Sequence, residues 1–269
     1  MAENGDGQMM SDRCGKIGLV LSGGGAKGAY HIGMFRALEE YGLAENISVI
    51  SGCSIGAYNA LLYAAGGTAA MRRFLHRFGR LMLTDEGRYS TEGLRRELMK
   101  ELRGAAFDWR QRRLVACAYS LKTLRPEYFE LSALGAEEAA TIAAASGALP
   151  QTFPPVCIDG VLYTDGGVVP PGYCTAAQAD KIPLRPIADA DVDQYLIAFL
   201  NPDNQIDHSL VRDGKRCLEL RPSRYLEPSP GAGTLDFSPA LLESHESLGY
   251  TDTLALIENT INTESWGDR

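Results

Sequence analysis

Positive charge is outnumbered in this chain, and long apolar runs are lacking. Its 269 residues carry 26 Lys and Arg against 34 Asp and Glu, a net charge of −8, which argues against a whole-surface nucleic-acid binder. No run of about eighteen apolar residues occurs, so no helix is expected to span a bilayer. The six cysteines (Cys14, Cys53, Cys117, Cys157, Cys174 and Cys217) contain no C-x-x-C pair, and several lie inside apolar runs. That spacing suggests reduced thiols rather than a zinc or disulfide framework. The first fifteen residues, MAENGDGQMMSDRCG, have no apolar core segment and carry acids, unlike a signal peptide, so a cytoplasmic location is the expectation. Four histidines (His31, His76, His208 and His245) share no motif.

What is present is enough for a substantial core: 45% of residues are hydrophobic in a chain of 29.1 kDa, and 22% are charged. No repeat or composition break divides it, so one α/β domain is expected. A polar tail covers 1–15, the core of the domain 16–180, and its continuation 181–269. Ile17 to Leu21 reads as a buried strand, Ala29 to Tyr41 as a helix stopped by Gly42, and Ile47 to Ile50 as the second strand. Ser54 to Ala65 reads as an alanine-rich helix ended by Gly66-Gly67. Such alternation predicts a mostly parallel sheet with right-handed crossovers. Helices are expected over 68–80, 91–103, 136–146 and 246–261, and strands over 114–120, 194–200 and 216–220. Asp159-Gly160 between two short apolar pairs signals a hairpin. The proline-rich span 222–239 reads as a mobile loop.

Three motifs carry chemistry. Gly23-Gly24-Gly25-Ala26-Lys27-Gly28, between the first strand and first helix, offers unobstructed N–H groups beside a helix N-terminus, suited to a phosphate or an oxyanion, or else to a tight packing turn. A dinucleotide site would want an acid at the end of the second strand, and Ser51-Gly52-Cys53-Ser54 stands there instead. A Walker loop fails because Lys27 precedes its glycine with no Ser or Thr directly after it. Gly52-Cys53-Ser54-Ile55-Gly56 is a G-x-S-x-G run at a strand-to-helix junction, where a sharp turn lifts a serine hydroxyl above the sheet edge; the bland alternative is a serine cap on the helix. Tyr163-Thr164-Asp165-Gly166-Gly167 follows the hairpin, and is either a turn or a carboxylate placed to take a serine proton.

Together and in this order the three motifs resemble those of the patatin-like phospholipase family, over about residues 16–180. Pro150, Phe153, Pro154 and Pro155 ahead of Asp165 are similar to the family's approach to its aspartate. The resemblance implies a patatin-like, three-layer α/β/α fold around a mostly parallel sheet. It also implies a serine-dependent lipid acyl hydrolase whose substrate is a lipid or other carboxylic ester. Ser54 would be the nucleophile, Asp165 the base, and Gly23, Gly24 and Gly25 the oxyanion loop, with Gly28, Gly52, Gly56, Gly166 and Gly167 as motif glycines. Neither metal nor organic cofactor is implied. Cys53 stands where many relatives have Thr, an expected point of sensitivity to oxidation.

Two rivals remain at this level. An α/β-hydrolase triad would join Ser54 and Asp165 to His208 or His245, although its elbow would follow more sheet than is present here. A non-enzymatic nucleotide-binding module would rest on the glycine loop alone. Residues 69–125 hold 14 Lys and Arg against 6 Asp and Glu, partly on two amphipathic helices. That segment is either a face for an anionic membrane surface or a solvated face whose apolar side is core.

Overall fold

The computed structural model describes residues 14–172, 178–212, 214–227 and 233–262. Cys174 and residues 1–13 of the expected tail lie outside them; Cys14 is buried, and Gln194 Nε2 donates to its carbonyl.

Five strands run parallel: β1 (Ile17–Leu21), β2 (Ile47–Cys53), β3 (Arg113–Ser120), β7 (Gln194–Ala198) and β8 (Arg216–Leu220), in the order β3-β2-β1-β7-β8. Their side chains alternate between two apolar layers, which is why they read as unbroken hydrophobic runs. Leu19, Leu21, Ile50, Leu114 and Leu196 face one core, while Val20, Val49, Val115, Tyr195 and Ile197 face the other. The first core is covered by the helices α1 (Ala29–Glu40), α2 (Ile55–Leu81), α3 (Glu92–Arg103), α4 (Ala136–Ser146) and α5 (Pro239–Asn262). On the second face the cover among the described residues is thinner, two 3-10 turns (Arg185–Ile187 and His208–Leu210) and their connecting segments.

The expected stop at Gly66-Gly67 is a kink inside α2, with Gly67 at φ 63°, and the helix resumes beyond it. Asp159 and Gly160 both have positive φ (48° and 78°) and join β5 (Val156–Ile158) to β6 (Val161–Asp165), the hairpin the sequence signalled. A strand with no sequence signal is β4 (Arg125–Glu130), antiparallel to β3. Pro126 lies within it, tolerated because β4 is an edge strand. The last helix starts at Pro239 rather than Glu246, with the proline in the first turn where its missing N–H costs nothing. No helix among the described residues is long and apolar enough to cross a membrane.

Both β4 and β6 pair with β3, using overlapping residues, so they occupy opposite edges. β6 therefore lies on the edge β2 uses, beyond the end of β2.

Candidate active site

The glycine loop is shaped by contacts from distant parts of the chain. Gly25 has φ 60°, and a Cβ there would collide with the carbonyl of Thr234, which accepts the Ala26 N–H at 2.8 Å. Only glycine meets both demands. The Gly23 N–H donates to the Lys181 carbonyl at 3.0 Å, whereas among the described residues the N–H groups of Gly24 and Gly25 find no acceptor. Of the three expected oxyanion donors, Gly23 is thus already engaged.

Ser54 sits at φ 53°, ψ −123° between β2 and α2. Such a conformation costs a non-glycine residue about 1–3 kcal/mol and persists only where the surroundings hold it. Here a Cβ at Gly52 would strike the backbone of Gly56, and one at Gly56 the carbonyl of Leu21, so the elbow closes only with glycine on both sides. The Ser54 N–H donates to Ser146 Oγ at 2.8 Å, and Ser146 Oγ donates onward to the Cys117 carbonyl at 2.6 Å. Ser146 ends α4, is fully buried, and belongs to no motif that sequence reasoning identified.

Asp165 ends β6 and is 4% exposed. Its carboxylate accepts the Gly167 N–H at 2.8 Å. Burial raises its pKa above the ordinary Asp value, opposed by the nearby Ser54 side chain, the Gly167 N–H and the charge of Lys181. The serine and the carboxylate singled out from the sequence both line one cleft. Its walls are largely apolar, from Tyr58, Phe78, Leu149, Phe153, Val168 and Phe237. Phe237 stacks on Phe78 with centroids 4.2 Å apart, so the expected loop 222–239 forms one wall; its residues 228–232 lie outside the described residues.

The histidines fall elsewhere. His245 bonds to the Leu226 carbonyl at 2.7 Å, His208 lies 3.2 Å from Glu219, His76 is exposed, and fully buried His31 meets Asn59 at 3.2 Å, its pKa pushed down to about 3 by burial. None contacts Ser54 or Asp165 among the described residues. Cys53 is 0% exposed and burial pushes its thiol pKa well up, the opposite of a reactive thiolate, so the expected oxidation sensitivity is not supported. The five cysteines among the described residues are free. The ligand-type cluster His208, Cys217 and Glu219 lies at β8, away from the cleft, with Glu219 held by Arg221 at 2.7 Å.

The patatin-like phospholipase family model matches residues 19–173. The chain belongs to that family. Lysophospholipase NTE1 of Cryptococcus neoformans is 60% identical over 52 residues, covering 19% of this chain and 3% of that protein. Lysophospholipase nte1 of Aspergillus terreus is 30% identical over 169 residues, covering 58% of this chain and 11% of that protein. The chain thus spans a small fraction of the length of these relatives. VipD from Legionella pneumophila has a similar fold, with a TM-score of 0.54 at 13% identity over 91% of this chain and 67% of that one. In this patatin-like chain, the matched span includes all three motifs.

Proposed function

We propose that this patatin-like protein is a lipid acyl hydrolase that cleaves carboxylic esters through a Ser54–Asp165 dyad. The observation that carries the reading is that Ser54, on its strained strand-to-helix elbow, and the buried Asp165 line the same apolar cleft. Asp165 takes the hydroxyl proton as Ser54 Oγ attacks the ester carbonyl. The resulting oxyanion is met by the Gly24 and Gly25 N–H groups, while Gly23, tied to Lys181, fixes the start of the loop. As the tetrahedral intermediate collapses, the proton on Asp165 passes to the leaving alcohol, and the acyl group remains on Ser54. Water, deprotonated by Asp165, then attacks the acyl-serine, and Ser54 regains its proton. The aromatic walls suit an acyl chain, whose burial is favourable at about 25 cal/mol per Å². The family membership and the lysophospholipase relatives support the same class of chemistry.

The test is covalent labelling by a fluorophosphonate together with ester hydrolysis. Both should occur in the wild type and vanish in Ser54→Ala. Labelling that persists at another serine in the variant would overturn the assignment.

A further inference from the structure

The cleft contains two lysines, and the fold treats them differently. Lys27, the cation of the glycine motif, is buried, and its Nζ lies 2.9 Å from Oε2 of Glu227, itself nearly buried. Its charge is neutralised within the protein. Lys181 belongs to none of the three motifs. It is half-buried, and no carboxylate of the described residues lies within 4.0 Å of its ammonium.

The Lys181 backbone and stem are nonetheless fixed by the loops of the site. Its carbonyl accepts the Gly23 N–H at 3.0 Å, and the neighbouring Asp180 N–H donates to the Gly166 carbonyl at 2.9 Å. Its stem passes so close to Gly167 that a Cβ there would lie 3.1 Å from Lys181 Cγ, and one at Gly23 would lie 3.5 Å from the same atom. Two motif glycines thus leave the path the side chain takes. The charges its ammonium feels are those of Lys27, Asp165 and Glu227, which cluster at the cleft, and Lys181 itself lines the cleft. An ammonium withdrawn from water without a dedicated counter-ion is costly, and an anion delivered by a ligand offsets that cost.

We propose that Lys181, rather than the motif lysine, is the anion subsite for the headgroup, and that it selects phosphate-bearing acyl esters over neutral glycerides. This rests on the Ser54–Asp165 reading. In a 1-acyl lysophospholipid the phosphate follows the acyl oxygen by only a few bonds. A carbonyl held at Gly24 and Gly25 therefore places the phosphate near a cation rooted between Gly23 and Gly167. Lys27 cannot take this role without abandoning Glu227. A bare phosphate and a lipid headgroup share this chemistry, but only the lipid also fills the apolar wall.

The experiment compares a 1-acyl lysophospholipid with the monoacylglycerol of the same chain. In Lys181→Met the ratio of kcat/KM on the lysophospholipid to that on the monoacylglycerol should fall about 10- to 100-fold, mostly through KM, as expected for loss of one charge-assisted contact. Lys181→Arg should restore much of the ratio. An unchanged ratio, whether activity is kept or lost equally on both substrates, overturns the proposal; equal loss would put Lys181 to work on Asp165 alone. A second measurement needs no variant: the non-hydrolysable ether analogue of the lysophospholipid should inhibit wild-type monoacylglycerol hydrolysis more strongly than the matching ether glycerol. Equal inhibition overturns the proposal too. Inorganic phosphate should inhibit weakly; if it matches the ether lysophospholipid, the site is a phosphate site and not a headgroup subsite. Failure of the dyad reading would look different, with no labelling of Ser54 and no hydrolysis of either ester by the wild type.

Discussion

Cys53 and Asp165 end two different strands on neighbouring rungs of the same edge of β3: Cys53 stands opposite Cys117, and Asp165 opposite Ala118. β2 runs parallel to β3 and β6 antiparallel, so the two strands approach each other end to end. The residue after Cys53 is Ser54, and it lines the same cleft as Asp165 where the strands converge. The approach of two residues more than a hundred positions apart is thereby set by backbone pairing rather than by side-chain packing alone. That arrangement suits a site that must hold its geometry closely.

The first prediction concerns the cost of burying Asp165. Burial raises the Asp165 pKa in the folded chain above its unfolded value, so the fold binds this proton more tightly than the unfolded chain does. The ionised carboxylate consequently costs stability once the pH rises through the folded pKa, and at about pH 4 and below the cost disappears. Asp165→Asn should melt higher than the wild type at neutral pH, with the gap closing as the pH falls. Ester turnover should drop at least about 100-fold if Asp165 is the base of the proposed dyad. In the wild type, kcat/KM should decline on the acid side at a pH above the ordinary Asp range of about 3.9. An Asn variant that melts lower at neutral pH would mean that the hydrogen bonds, not burial, dominate the carboxylate's energetics.

Ser146 carries the second prediction. Its hydroxyl bridges the strained Ser54 backbone to the Cys117 carbonyl, at 2.8 and 2.6 Å. Ser146→Ala leaves a buried N–H and a buried carbonyl without their partner, which should cost about 1–3 kcal/mol of stability. Relaxation of the elbow should also lower kcat while KM changes little. Thermal melts and steady-state kinetics on a soluble ester check both arms. Unchanged kcat in a destabilised variant would restrict Ser146 to a structural role.

Why Ser146 was invisible and Ser54 was not has a physical basis. Ser54 sits between glycines that the elbow requires, and the parallel strands read as unbroken apolar runs because both their faces are buried. Those demands leave marks in local sequence. Ser146, Lys181 and Glu227 act through contacts made across the fold: an α4 hydroxyl reaching β3, a carbonyl pinning Gly23, a carboxylate returning to Lys27. No local pattern is needed for such contacts, so none announces them. The edge strand β4 was hidden for a related reason, since Pro126 argues against a strand until the neighbouring β3 is known.

The glycine loop separates two effects of adding a methyl group. At Gly24 the backbone is extended (φ 170°), which any residue adopts, and a Cβ would meet the Leu200 side chain at 2.9 Å rather than open space. Leu200 must shift, and the loop with it, so Gly24→Ala should fold and lose about 10²-fold in kcat, the scale of one oxyanion donor. At Gly25 both the positive φ and the Thr234 carbonyl oppose any side chain. Gly25→Ala should therefore lose stability as well as activity. Equal melting temperatures for the two variants would contradict the placement of Thr234 against the loop.

The basic segment yields the last prediction. Its apolar residues Met71, Phe74, Leu75, Leu94 and Leu98 are all buried in the first core, so the amphipathic faces of 68–80 and 91–103 turn inward. Several arginines are also engaged within the fold: Arg72 with Glu246, Arg73 with Glu101 at 3.0 Å and Arg77 with Glu97 at 2.5 Å. Arg72→Gln deprives the largely buried Glu246 of one of its two cations, leaving Arg36 at 2.9 Å. It should cost up to about 1 kcal/mol, in keeping with partly exposed pairs, and should weaken vesicle and soluble-ester activity alike. A different patch lies nearer the cleft. Leu83 and Tyr89 face each other across an isolated bridge and are 41% and 43% exposed, between exposed Arg80 and Arg88. Tyr89 also packs edge-on against Phe153 of the cleft wall, with centroids 5.6 Å apart. Exposed Asp85 and Glu86 in the turn between Leu83 and Tyr89 balance the two arginines, so the exposed apolar pair beside the cleft wall, rather than net charge, is what would meet a lipid surface. The double change Leu83→Ser and Tyr89→Ser should reduce hydrolysis of lipid in vesicles several-fold while sparing a soluble short-chain ester, because the apolar contact acts only at the surface. Vesicle flotation and paired assays on the two substrates measure this. Equal activity of the double variant and the wild type on vesicles would rule the patch out as a docking site.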